Sequence, residues 1–146
     1  MKKLIRQGLT AAVVVLSMTS VARADDEKGC SLDTLRGRYV FTARGFNIVA
    51  GVPQPKAILE LIDFNGDGTL VVPAATVSIN GTIVRALPSV GSYTVEDSCI
   101  GTIAFGGPTY DVFVARNGRE LWLIQTNANT VFQGGATRAE RARDRH

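Results

Sequence analysis

The sequence predicts an all-β domain: a single antiparallel meander of about eight strands that closes into a barrel, entered through a short N-terminal helical turn. Three observations predict it. From Gly37 to Arg138 the chain is a series of short runs in which apolar and polar residues alternate, each bounded by Gly, Asn, Asp or Pro, the pattern of half-buried strands. No segment inside that span holds a helical period over the length of a helix. Most runs are separated by only roughly two to five residues, which favours pairing of each strand with the next. A closed meander has no free edges, whereas an open sheet of this size must protect two. A sandwich is the alternative.

Taken in order, CSLDTL (Cys30 to Leu35) comes first. Ser31 can cap and Asp33 sits in the first turn, so one helical turn is expected. GRYVFTARGF follows as a strand, with Tyr39, Phe41 and Ala43 on one face and Val40, Thr42 and Arg44 on the other. VPQP around Pro53 and Pro55 is not expected in a central strand, because each proline lacks a ladder donor. KAILELIDF then runs from Lys56 to Phe64 and TLVVPAATVSI from Thr69 to Ile79. Asn80-Gly81 marks a hairpin, since both central positions of a type I′ turn need positive φ. TIVRAL, VGSYTV, IGTIAF, YDVFVA, ELWLIQT and TVFQGGATR complete eight or nine strands, with residues 25–137 as the barrel. Residues 138–146 read as a charged, solvated tail, in which Arg138, Arg141, Arg143 and Arg145 stand beside Glu140 and Asp144.

Residues 1–24 read as a signal peptide. Lys2, Lys3 and Arg6 form a positive start, LTAAVVVLSM is an apolar run too short to span a bilayer, and Ala22-Arg23-Ala24 offers a cleavage site. The expected location is therefore the periplasm or the medium, with no membrane association after cleavage. Four of the 16 basic residues and no acid lie in this segment, so the remainder carries 12 basic against 13 acidic residues. That near-neutral balance removes the case for a nucleic-acid partner. In an oxidising compartment Cys30 and Cys99 are expected to form a disulfide.

DFNGDGT opens like a calcium loop, with Asp63, Asn65, Asp67 and Gly68 at positions 1, 3, 5 and 6. Position 12, where such a loop needs a bidentate carboxylate, is Ala74, and both flanks are apolar β-runs. A tight turn is the better reading, because Asn, Asp and Gly tolerate the left-handed region. No metal or other cofactor is expected. The sole histidine is His146, which leaves no histidine-dependent mechanism.

Glu60 is the carboxylate with chemical promise, since it shares a face with Ile58 and Ile62. Pointing into a barrel, it would have a raised pKa and could act as acid or base; pointing out, it would be an ordinary solvated residue. Arg44 poses the same alternative. Trp122 is either core or a ligand-facing wall, as are Tyr39, Tyr93 and Tyr110, and Gln125 lies on the other face of its strand from Trp122. Arg116-Asn117-Gly118-Arg119 is a turn with solvated charges.

CSLDTLRGRYVFTARG, DFNGDG, GSYTVEDSCIGTI and GRELWLIQTNANTVFQGGATR resemble a group of small exported bacterial β-barrel proteins of unknown function. More distantly, a helical turn before Gly37-Arg38-Tyr39 is similar to the opening of lipocalin-type barrels. Tyr39 stands where their motif has tryptophan, and Arg138 matches the arginine that packs across that aromatic. The resemblance implies a calycin-like or allene-oxide-cyclase-like barrel, whose members hold small hydrophobic molecules or, less often, transform them.

Three functions stay open on these residues. The first is binding of a small, mostly apolar molecule, with Tyr39, Phe41 and Trp122 as walls and Glu60, Arg44 or Gln125 orienting its polar end. The second is a cyclase- or isomerase-type enzyme using Glu60, which a buried Glu60 beside a tyrosine or arginine would favour. The third is a protein-binding or inhibitor module acting through loops such as Asn47 to Pro55, which a filled barrel would favour. The sequence leaves the oligomeric state open.

Overall fold

The computed structural model describes residues 29–139. The expected signal peptide and residues 140–146 of the expected tail lie outside the described residues. A 3-10 turn, Leu32–Thr34, leads into nine strands: β1 (Arg36–Val49), β2 (Val52–Asn65), β3 (Thr69–Ile79), β4 (Thr82–Ala86), β5 (Ser89–Val95), β6 (Ile100–Ala104), β7 (Thr109–Val114), β8 (Glu120–Gln125) and β9 (Thr130–Arg138). All pairings are antiparallel. They run β1–β2–β3–β5–β6–β7–β8–β9, and β9 returns to β1, which closes an eight-stranded barrel.

β4 is the extra strand and the one departure from a pure meander. The near part of β3, Thr69 to Val72, pairs with β5; its far part, Ala75 to Ile79, pairs with β4 on the same side. The eleven residues of β3 outrun the seven of β5, so the projecting half finds its partner in its own hairpin. Asn80 and Gly81 both have positive φ, 47° and 85°, as a type I′ turn requires.

Val52 to Pro55 is no central strand, as the sequence reading has it, but β2 starts there rather than at Lys56. Its pairing to β3 begins only at Lys56, so the proline-bearing stretch is a sheet edge laddered to β1. An edge tolerates a residue with no N–H. Between β2 and β3, the DFNGDG residues make a turn. Asp67 Oδ1 accepts from the Thr69 backbone N–H (2.9 Å) and hydroxyl (2.7 Å), and Asn65 Nδ2 donates to that hydroxyl (2.8 Å). Asp63 binds Arg38 through two bonds of 2.7 Å, and these donors hold both the Asp63 and Asp67 carboxyls below their ordinary pKa.

The strand alternation delivers one side chain in two to the interior. At the end where β1 starts, that interior is filled. Tyr39, Phe64 and Tyr93 stack edge to face with centroids 5.1 and 5.0 Å apart, a geometry that the ring quadrupoles favour. The 3-10 turn caps this end: the Tyr93 hydroxyl shares its one proton between the carbonyls of Leu32 and Leu35, each at 2.9 Å. The disulfide Cys30–Cys99 ties the cap to the β5–β6 turn and is compatible with an exported protein.

Arg138 packs across the Tyr39 ring and donates to its hydroxyl from Nε (3.1 Å) and Nη2 (3.0 Å), and to the Thr34 carbonyl (3.2 Å). It is the last residue of β9 and part of the closure, not the first of a tail. The Tyr39 hydroxyl in turn donates to the Gly118 carbonyl. Gly118 has φ +62°, and a Cβ there would stand 2.1 Å from the Thr34 oxygen, so the turn requires glycine. Tyr39→Phe strands the Gly118 carbonyl and two guanidinium donors. We expect it to cost about 1–3 kcal/mol, read as a lower urea midpoint at unchanged slope.

Candidate functional site at the Lys56 end of the barrel

The opposite end, where β1 and β2 meet at Val49 and Val52, is built differently. Lys56, Gly45 and Phe132 form one inward cross-strand row. Gly45 has no side chain, and a Cβ there would stand 1.8 Å from the Val131 carbonyl oxygen. Over this bare position Lys56 Nζ reaches to 4.3 Å from the centre of the Phe132 ring, a cation–π contact.

Deeper in, Glu60 is paired with Phe41 on one side and Ala75 on the other. Its residue is 8% exposed. Among the described residues its carboxyl has no ion pair within 4.0 Å. Burial pushes its pKa up to about 7, with the Lys56 charge pulling the other way. Lys56 is lowered by burial, against the pull of Glu60. Tyr110, whose ring lies edge-on to Phe41 and Phe105 at 6.4 and 5.8 Å, is pushed up to about 12 by burial and then by the charge of Glu60.

Gln125, paired with Tyr110 across β7 and β8, supplies the fourth polar group. The Asn127 amide is oriented by the backbone: its Oδ1 accepts the Thr109 N–H (2.8 Å) and its Nδ2 donates to the Gly107 carbonyl (3.1 Å). Gln125 must therefore present Nε2 to that same Oδ1, at 3.0 Å. Its own Oε1 is left buried with no partner among the described residues. A buried acceptor without a donor is uncommon enough to ask for one.

Of the residues singled out in the sequence, the structure brings Glu60, Phe41, Tyr110 and Gln125 to this half of the interior. Tyr39 and Tyr93 serve the closed end instead. Arg44 and Trp122 do not reach the lumen. Tyr39, Phe41 and Ala43 point inward, so Arg44 must point outward; Leu121 and Leu123 point inward, so Trp122 lies outside and is 53% exposed. Both instead flank a groove of about 580 Å³ on the outer face. Lys56, Phe132 and Asn127 went unnoticed in the sequence. Lys56 had a signal, since it lies an even number of residues from Glu60 on the same strand; Phe132 and Asn127 had none, because their roles depend on cross-barrel neighbours.

Among the described residues no three His, Cys, Asp or Glu side chains stand together as a metal ion would need, and no helix is long and apolar enough to cross a membrane. No protein-family model, no curated protein and no solved structure matches this chain.

Proposed function

We propose that the protein binds a small, mostly apolar molecule at the Lys56 end of the barrel, and that the polar end of this ligand donates hydrogen bonds. The observation that carries the reading is a buried acceptor lacking a donor, Gln125 Oε1, in the same half of the interior as the Glu60 carboxyl and among Phe41, Phe105 and Phe132. Apolar walls with a few convergent polar groups are the usual make-up of a ligand site. A hydroxyl or amine on the ligand donates to Gln125 Oε1, while the Lys56 charge favours the ionised form of Glu60.

A specific observation also supports acid–base catalysis at the same place. A carboxyl with a pKa of about 7 exchanges protons efficiently at neutral pH, and Tyr110 is within its electrostatic reach. Binding is preferred because it needs only the groups seen, whereas catalysis also needs a substrate whose reaction begins with proton transfer.

Native mass spectrometry of the protein purified from its own exported fraction tests the first reading. The expected result is an adduct of a few hundred daltons, released on denaturation and lost in Gln125→Leu. An adduct carried equally by Gln125→Leu would place the ligand elsewhere. Should Glu60→Gln keep the adduct but abolish conversion of the ligand, the catalytic reading gains.

A further inference from the structure

Outside the barrel, two neighbouring cross-strand rows run over β1, β9, β8 and β7. One is Arg44, Gln133, Ile124, Asp111; the next is Thr42, Gly135, Trp122, Phe113. All of these side chains lie on the outer face. Trp122 and Phe113 are directly paired there and are 53% and 60% exposed, with Ile124 at 51%. Isolated apolar surface residues need no explanation, but a contiguous aromatic cluster that includes the only tryptophan does. Beside the indole lies a hollow. Gly135 has no side chain, the Trp122 indole reaches to 3.8 Å from where its Cβ would stand, and a groove of about 580 Å³ beside them extends past Thr42 and Arg44 to Ala57 on β2.

The geometry points to a second copy of this chain as the occupant. A two-fold interface needs a patch that is complementary to itself, and these two rows are. Consider a two-fold axis lying in the contact plane and running along the strands between β9 and β8. It reverses each row end for end. Arg44 then faces the second copy's Asp111, and Asp111 faces the second copy's Arg44. In the adjacent row each Trp122 faces the other copy's Gly135, beside that copy's own indole, so the two indoles come to pack side by side. Neither Arg44 nor Asp111 has an ion pair within its own chain among the described residues, so both charges are available to a partner. Aromatic residues and arginine are also the types enriched in interface cores. The Lys56 end of the barrel lies outside such a contact.

The contact is small. Four strands span about 19 Å across at most, and two convex walls diverge beyond them, so the footprint falls at or below the roughly 800 Å² per partner of a standard interface. The dimer is therefore a weak one that forms at tens to hundreds of micromolar.

Sedimentation velocity on the exported protein from ~1 to ~500 µM, with Arg44→Asp, Asp111→Arg and the double exchange, tests this. All of these positions are exposed, and circular dichroism controls for folding. The expected result is a dimer whose dissociation constant rises at least ~10-fold in either single variant and returns to within ~3-fold of the parent in the double variant. A monomer across the whole range overturns the inference. So does a dimer indifferent to the single exchanges, or a double variant no better than the singles.

Discussion

Replacing Cys30 and Cys99 together by alanine lowers stability by about 4 kcal/mol, the largest single effect expected in this molecule. The bridge spans 69 residues of sequence, and closing a loop of that length removes roughly this much conformational freedom from the unfolded chain. In a domain whose total stability is of order 5–15 kcal/mol, the loss is a large fraction. Its structural consequence is local as well. Cys30 sits just before the Leu32–Thr34 turn, and besides the disulfide its N–H donates to the Asp97 carbonyl (3.1 Å). Without the bridge the cap over Tyr93 is held by few bonds, so amide exchange in residues 30–35 should speed up more than in β1. A double variant with an unchanged denaturation midpoint, or with uniform exchange, would show that the cap is held by packing alone.

Glu60 governs how stability varies with pH. Burial favours its neutral form, displacing the pKa from 4.5 to about 7. The native state therefore holds this proton more tightly than the unfolded chain does. The sign follows: the contribution is complete below about pH 4.5 and is lost as the pH rises through about 7. A displacement of that size corresponds to about 3 kcal/mol. Tyr110 on β7, pushed up to about 12, titrates in alkali, the lowered carboxyls of Asp63 and Asp67 act only in acid, and Lys56 on β2, lowered by burial, is the charge that faces Glu60. Glu60→Gln should flatten stability across this pH range and be more stable than the parent at pH 8 by about 2–3 kcal/mol. A Glu60 carboxyl that titrates near its ordinary value by NMR would remove the basis for this and weaken the catalytic reading.

Much of the fold was legible because strand alternation and turn chemistry are local. TLVVPAATVSI coincides with β3 residue for residue, and TVFQGGATR with β9. Asn80-Gly81 announced its hairpin through backbone preferences that need no tertiary partner. The proline stretch was legible as no central strand, but not as the start of β2. Whether Pro53 and Pro55 can sit in a strand depends on how far β3 reaches along β2, a length that belongs to the pairing and not to either segment. In the site, Glu60 and Gln125 were found because each broke the polarity pattern of its own strand or stood at its polar end. Arg44 and Trp122 were misplaced into the lumen because alternation separates two faces without saying which one is inside.

By itself, then, the sequence determined an all-β chain, its strand segments, its turns, the short entry turn and a disulfide between Cys30 and Cys99. These follow from side-chain period and backbone preference, which act over a few residues. Only the tertiary structure decided that β4 is a flap on β3, that β9 meets β1, and that Glu60, Lys56, Tyr110 and Gln125 share one half of the interior while Trp122 and Arg44 share an outer groove. Those are matters of register, and a one-residue change of register turns every side chain of a strand to the opposite face.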